Sequence, residues 1–381
     1  MKNKIILGLL ALILAIAAAA AAAQVSEPPA LAMKGGLLID TGSAFAAGTT
    51  DGTVVLSAET APLRLAAAGG RYRPRGLYLS PVIQTAPFRD LILSWNADTP
   101  AGTALTVEAQ VLVSGKWSEW FSWGTWGGQS ASAAKLAGRA AKMDIDTLTI
   151  SGGQKATAVR YRLTLTSSDP RVTPAVRLVA LTIKGQDGIK AEPPVAIAGW
   201  QRDLDVPAYS QAKRDPRIAS RICSPTSLSM VMNYWGVTAS PEDTAWGSYD
   251  HRGDLFGNWS FNAAYAGRRG FTSYVAYLNS LADLKQEIAH GYPVVVAVWY
   301  RSSEAVPQPF PVLHGAPIDY TDGHLVVVHG FKVRDGKEYV LVNDPAGGND
   351  AAVYREYAAG EFAAAWVKVA YIIRPPAPPK K

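Results

Sequence analysis

Reactive side chains are scarce in this chain. Among 381 residues there is one cysteine, Cys223, and there are five histidines, every one beyond residue 200. Cys223 opens the stretch I-C-S-P-T-S-L-S-M-V-M-N-Y-W-G, residues 222–236, which reads as a helix. Ser224 or Thr226 can cap it, Pro225 suits its first turn, Leu228, Met232 and Trp235 fall at helical spacing, and Gly236 stops it. A thiol at a helix N-terminus meets backbone N–H donors and the positive end of the dipole, which favours thiolate. A lone cysteine is more often a small buried hydrophobe. The balance moves far downstream, where the chain reads Gly323-His324-Leu325-Val326-Val327-Val328-His329-Gly330 and then Tyr339-Val340-Leu341-Val342-Asn343-Asp344-Pro345. A histidine heading one strand and a carboxylate ending the next would give the thiol a base and the base an orienter.

Which histidine serves depends on register. His324 and His329 point to opposite faces of a strand, so only one can share a face with Asp344. A two-residue loop at Asp335-Gly336 pairs Asp344 with Val327 and puts it on the His329 face. A three-residue loop, Arg334-Asp335-Gly336, pairs it with Val326 and puts it on the His324 face. Asp-Gly permits either, so the pattern leaves the choice open. His251, His290 and His314 read as surface or loop residues, and no spacing suggests a metal site or calls for a cofactor.

The elements around these residues are mixed. Residues 241–249 read as a short helix and 281–290 as a better one, with Leu281, Leu284 and Ile288 on one face and Gly291 closing it. The run P-V-V-V-A-V-W, residues 293–299, is a buried strand. Residues 324–333 and 338–343 make a hairpin, and 367–373 a last strand. The expectation is a two-layer α+β arrangement, a helix carrying the cysteine packed on an antiparallel sheet carrying the histidine and aspartate. The loop from Arg301 to Asp322 should rim the cleft. Asn258-Trp259-Ser260 matches a glycosylation acceptor pattern.

Residues 24–184 read differently. Short runs such as Asp90–Trp95, Leu105–Val111, Ala158–Leu165 and Val176–Ile183 are strands separated by turns, the last two alternating apolar and polar residues as half-exposed antiparallel strands should. This is an all-β sandwich, jelly-roll-like, in the role of an accessory domain. Within it Trp117, Trp120, Trp123 and Trp126 offer two readings: a face that stacks on cell-wall glycan, or core filling and turn cover. Residues 185–199, with Gly-Gln-Asp-Gly and Glu-Pro-Pro, read as a linker, residues 200–374 as the second domain, and the Pro-rich residues 375–381 as a disordered tail.

At the start, Met1-Lys2-Asn3-Lys4 precedes an uncharged apolar run ending in alanines, which reads as a signal peptide over residues 1–23. Export to the cell envelope or medium is the expectation, with membrane contact only through that segment before cleavage. Losing Lys2 and Lys4 takes the net charge from +6 to +4, too diffuse to suggest a nucleic-acid partner. One cysteine excludes an internal disulfide.

Four blocks in order, Val206-Pro207-Ala208-Tyr209-Ser210-Gln211, Cys223-Ser224-Pro225-Thr226-Ser227-Leu228-Ser229-Met230, Gly323-His324-Leu325-Val326-Val327-Val328 and Asn343-Asp344-Pro345, resemble the bacteriocin-leader (double-glycine) peptidase-like branch of the papain-type cysteine peptidases. The resemblance spans residues 200–374. It implies a papain-like fold, Cys223 as nucleophile, His324 rather than His329 as general base and acid, Asp344 as orienter, and a glutamine donating to the oxyanion, for which Gln211 is the match. Two departures stand out. Gln211 lies twelve residues before Cys223, farther than in papain-like enzymes, so residues 212–220 must loop out; and Ser224 occupies a position where the family often has glycine. The expected activity is hydrolysis of peptide or protein substrates through a Cys-His-Asp triad. The alternatives are a catalytically idle papain-like fold that binds surface glycan, and an amidase or acyltransferase acting on a non-protein substrate.

Overall fold

The structure, a computed structural model, describes residues 30–33, 35–55, 61–185 and 197–375. The signal peptide, most of the linker and all but the first residue of the tail read from the sequence lie outside the described residues.

Among these, residues 31–184 form two eight-stranded sheets packed as a sandwich. The strands that matter for the site are β1 (Asp90–Asp98), β2 (Thr103–Val113), β3 (Phe121–Trp126), β4 (Thr147–Ile150), β5 (Ala156–Ser167) and β6 (Ala175–Lys184). β2 pairs with β5 and β3 in one sheet, and β1 pairs with β6 and β4 in the other, all antiparallel. Alternate residues of β2 (Leu105, Val107, Ala109, Val111) are buried between the sheets, as a period of two requires.

The tryptophan cluster resolves by burial. Trp123 and Trp126 are core residues, and the Trp123 indole N–H donates to the Asp146 carbonyl at 2.8 Å. Trp117 and Trp120 lie under the guanidinium groups of Arg160 and Arg162, 4.6 Å and 4.2 Å from the ring centroids. A sugar-stacking platform of four exposed rings is therefore not formed. A β-bulge at Trp123, where Val107 pairs with Gly124 but Glu108 with Ser122, lets two rings at a spacing of three both turn inward, and arginines cover the other two.

The half-exposed reading of β6 also fails, for an instructive reason. Its polar Thr182, together with Ser94 and Asn96 of β1, is buried. These side chains grip the strand β7 (Thr272–Tyr277) of the second half. Asn96 donates to the Ser273 carbonyl at 2.6 Å and accepts from its N–H at 3.1 Å. Ser94 Oγ accepts from Val275 N–H at 3.0 Å, and Thr182 Oγ1 from Tyr277 N–H at 2.9 Å. β7 is an edge strand, and its outward N–H groups at alternate residues would be unpaired without these acceptors. The polar stripe of the sandwich is a complement to that edge, and the apolar core runs on from one half into the other.

The second half contains α1 (Cys223–Tyr234), α2 (Pro241–Ser248), α3 (Trp259–Arg268), α4 (Leu281–Ala289), β8 (Val294–Arg301), β9 (Tyr320–Arg334), β10 (Lys337–Asn343), β11 (Tyr354–Ala358), α5 (Ala359–Ala365) and β12 (Trp366–Arg374). Its antiparallel sheet has the order β7-β12-β8-β9-β10-β11. This is the expected α+β arrangement of a cysteine-bearing helix on a sheet bearing histidine. α1 lies against β9, and Ser227 Oγ donates to the Leu325 carbonyl at 2.9 Å. Gly236, at φ +80°, ends α1 as foreseen, with N–H bonds from Gly236 to Asn233 and from Val237 to Met232. The capping expected of Ser224 or Thr226 does not occur. Ile222 holds the N-cap position without a side-chain bond, and Ser224 Oγ instead pairs with the Tyr371 hydroxyl at 2.8 Å. Asn258 is no glycosylation acceptor in the folded chain: it is buried and caps α3 by accepting from Phe261 N–H at 3.1 Å.

Candidate active site

Cys223 is the first residue of α1 and half-buried. Its backbone N–H is among the four that a helix N-terminus leaves without an intrahelical partner. Burial pushes the thiol up, but the hydrogen bond and charge of His324, with N–H groups of Leu325 and Ser224, more than offset it, and the thiol is held below its ordinary range.

His324 and Asp344 are both buried, and His324 Nε2 lies 2.7 Å from Asp344 Oδ1. With Nε2 engaged, Nδ1 is the nitrogen left for the thiol. Burial alone would lower the His324 pKa, yet the charge and hydrogen bond of Asp344, together with Cys223, raise it to about 10. Asp344 is pushed up by burial and brought below the usual carboxylate range by His324, by the Ala346 N–H at 3.0 Å and by the Tyr357 hydroxyl at 3.1 Å. The three groups thus favour a thiolate–imidazolium–carboxylate arrangement. Tyr300 closes the other side, its ring edge-to-face with His324 at 6.5 Å between centroids.

Register selects His324, but not by the route the sequence suggested. The β9–β10 loop has two residues, Asp335 and Gly336, at φ +51° and +70°, the geometry of a type I′ turn. That loop alone would have put Asp344 on the His329 face. A β-bulge reverses the outcome: Val328 pairs with Val342 but Gly330 with Leu341, so His329 is an extra residue on β9. Beyond the bulge Val327 pairs with Asn343, which sets Asp344 beside Val326 and on the His324 face. The bulge is held by the segment before α1. Leu204 N–H donates to the His329 carbonyl, Phe331 N–H to the Arg202 carbonyl, both at 2.9 Å, and His329 Nδ1 lies 2.9 Å from Asp203 Oδ1. Gly330 is required there, because a Cβ would sit 2.3 Å from the Arg202 carbonyl oxygen.

Gln211 is drawn to the same end of the sheet. Its N–H donates to the carbonyl of Pro345, next to Asp344, at 2.8 Å, and its side-chain oxygen is buried with no partner among the described residues. Residues 212–220 do loop out, bounded by two short 3-10 turns, Gln211–Lys213 and Ala219–Arg221. Ser210 anchors the near end, accepting from Ala212 N–H at 3.2 Å while donating to Gly347. His251, His290 and His314 are exposed and apart from this cluster. Tyr357, Tyr300 and the Leu325 N–H were not foreseen. Residues 354–358 were not read as a strand at all, and nothing in a lone tyrosine marks it as a partner for Asp344.

Residues 203–372 match the model of the Peptidase_C39 like family, and residues 38–183 that of the Peptidase C39 N-terminal domain. No curated protein matches the chain. Solved structures similar to it include a double-glycine-motif protease from an AMS/PCAT transporter in complex with the leader peptide, at 21% identity over 45% of this chain and 94% of that one, TM-score 0.31. The peptidase domain of Streptococcus ComA, a bi-functional ABC transporter involved in a quorum-sensing pathway, is 15% identical over 45% and 98%, TM-score 0.30. Procathepsin B S9 from Trypanosoma congolense is 13% identical over 49% and 84%, TM-score 0.32. Taken with the cysteine helix and the histidine-bearing sheet, the two family matches support a cysteine peptidase, its residues 203–372 similar to the Peptidase_C39 like family.

Proposed function

We propose that Cys223, His324 and Asp344 act as a catalytic triad that hydrolyses a peptide bond through a thioester. The observation that carries this reading is the buried 2.7 Å contact of His324 Nε2 with Asp344, which leaves the opposite ring nitrogen for a thiol at a helix N-terminus. The Cys223 thiolate attacks the scissile carbonyl, and the oxyanion is met by the Cys223 backbone N–H and the side-chain amide of Gln211. His324 passes its proton to the leaving amine, which departs with a new N-terminus. A water molecule, deprotonated by His324, then attacks the thioester and releases the carboxylate product and the thiol. Asp344 holds the imidazole and stabilises its charged form.

The test is alkylation of Cys223 by iodoacetamide across pH, in the wild type and in His324→Ala, beside peptide hydrolysis by Cys223→Ala. The expected result is thiolate reactivity well below the free-cysteine pKa of about 8.5, lost in the histidine variant, and no turnover without the thiol. A thiol that reacts slowly and ignores His324 would sink the reading. Export rests on the charge and hydropathy of residues 1–23. N-terminal sequencing of the secreted chain tests it, with a start near residue 24 expected.

A further inference from the structure

The sandwich does more than close an open sheet edge. A cleft of about 310 Å³ lies between the two halves, walled on the sandwich side by Asp90, Thr147, Thr149 and Lys184 and on the peptidase side by residues that include Tyr277, Ala297, Asp322 and Gly323, so that its rim is charged. Two of these tie it to the candidate active site. Gly323 immediately precedes His324. Ala297 is the cross-strand partner of Leu325, whose N–H meets the Cys223 sulfur, and such partners stand about 5 Å apart. The floor is apolar, with Val298, Val367 and Val369 beside the Tyr277 and Trp259 rings, and Trp299, an exposed side chain stacked on Phe310, forms part of the rim. The volume falls at the low end of ligand pockets, room for one or two residues of a chain rather than for a large cofactor.

We infer that this cleft is a substrate subsite, that it takes a bulky apolar side chain close to the scissile bond, and that the N-terminal sandwich, through Thr147, Thr149 and Lys184, sets the size of residue it admits. The wall is fixed rather than loosely apposed. Thr182, two residues before Lys184, holds the backbone of Tyr277, itself part of the lining, and Thr147 Oγ1 donates to Asp146, whose other oxygen accepts from the Trp259 N–H at 2.7 Å. Each clasp joins a sandwich residue next to the wall, Thr182 or Asp146, to a peptidase residue of the floor, Tyr277 or Trp259, so the subsite exists only when both halves are present. The proposal rests on the peptidase reading above, with the sandwich as a specificity element instead of an accessory.

The experiment labels Cys223 in the full chain with tetrapeptidyl acyloxymethyl ketones in which each position in turn carries Phe, Leu or Gly, with iodoacetamide as the alkylator that occupies no subsite. One position is expected to favour Phe or Leu over Gly by tenfold or more. Thr149→Trp, which fills the cleft from the sandwich side, should reduce that preference to within threefold. Thr149→Ala, which widens it without a clash, should shift the preference from Leu toward Phe. The iodoacetamide rate should be the same in all three proteins. An unchanged preference in both variants, or the absence of any apolar preference in the wild type, overturns the inference while leaving the triad intact. Iodoacetamide labelling that does not depend on His324 would instead bring down the peptidase reading on which the inference stands.

Discussion

Two histidine–aspartate pairs sit five residues apart on the same strand, and the difference between them explains the site. His324 meets Asp344 with both side chains buried, a thiol on the far side of the ring and a tyrosine hydroxyl completing the carboxylate. His329 meets Asp203 at 2.9 Å, but the Asp203 side chain is 54% exposed, the remaining ring nitrogen is buried with no partner among the described residues, and the neighbour is the ring of Tyr354. The first pair is shielded from water, so its charges act strongly on each other and on Cys223. The second is open to water on the aspartate side and joined to a bulge that the backbone bonds of Arg202 and Leu204 also hold. In the proposed mechanism the first pair moves a proton, while the second braces the register beside the backbone bonds of Arg202 and Leu204.

The sharpest way to break this comparison is the matched substitution of each histidine by glutamine, which keeps a donor of similar reach. His324→Gln should lower kcat/KM for peptide hydrolysis by roughly a thousandfold or more, the range of a lost general acid–base group. His329→Gln should hold kcat/KM within threefold while lowering the melting temperature. Equal losses in both would show that the strand, not the pairing, is what activity senses. Next in size is Gly330→Ala. The added carbon would meet the Arg202 carbonyl at 2.3 Å and Leu341 at 2.8 Å. Relief requires that the segment before α1 lift off or that the bulge move, so thermal unfolding should register a loss of about 1–3 kcal/mol. Activity should fall with it, because the bulge is what puts Asp344 on the His324 face. Loss of stability with full activity would sever the bulge from the site.

A third effect separates the pairs by pH. The folded-state pKa of His324 is raised, so its contribution to stability is complete below about 6.5, the ordinary histidine value, and disappears as pH rises through about 10. Denaturant midpoints of the wild type and His324→Gln should therefore differ most in mildly acidic solution, below about pH 6.5, narrow through neutrality and converge above about 10. A gap that stayed constant to alkaline pH would mean that the imidazolium is not what the fold stabilises.

What was legible in the sequence follows from these same residues. The cysteine helix, the apolar strand at 293–299 and the hairpin were visible because each is a local pattern with local punctuation: Gly236 after α1, Asp335-Gly336 between β9 and β10. The bulge was not, because it depends on residues 202–204 docking from more than a hundred residues away, a contact with no local signature. The helix Trp259–Arg268 and strand Thr272–Tyr277 were missed for a related reason. α3 is buried nearly all round against β1, so its apolar residues show no stripe, and β7 is completed by Ser94, Asn96 and Thr182 of the other half. Of these, Thr182 is also among the polar residues that made β6 look half-exposed. Polar side chains at strand period say that one face is not apolar, and they do not say whether water or another backbone meets it.

The smallest effect tests the passive half of the comparison. Asp203 lies below the usual carboxylate range, first through the hydrogen bond from His329 and then through its charge, with Tyr354 and Lys332 adding to it. A depressed carboxylate contributes stability above its unfolded pKa of about 3.9 and loses it as pH falls through the lower folded value. Because the side chain is more than half exposed, solvent screening limits the contribution to about 1 kcal/mol or less. Asp203→Asn should therefore cost a few degrees at most at neutral pH, progressively less as pH falls through the lowered carboxylate range, and cause no measurable change in hydrolysis, since the backbone bonds of Arg202 and Leu204 to the bulge do not pass through that carboxylate. Asp344→Asn, the same exchange in the buried pair, should instead lower kcat with the fold retained. A fall in hydrolysis from Asp203→Asn as large as that from Asp344→Asn would mean that the exposed pair takes part in the chemistry, and the division of roles between the two histidines would have to be given up.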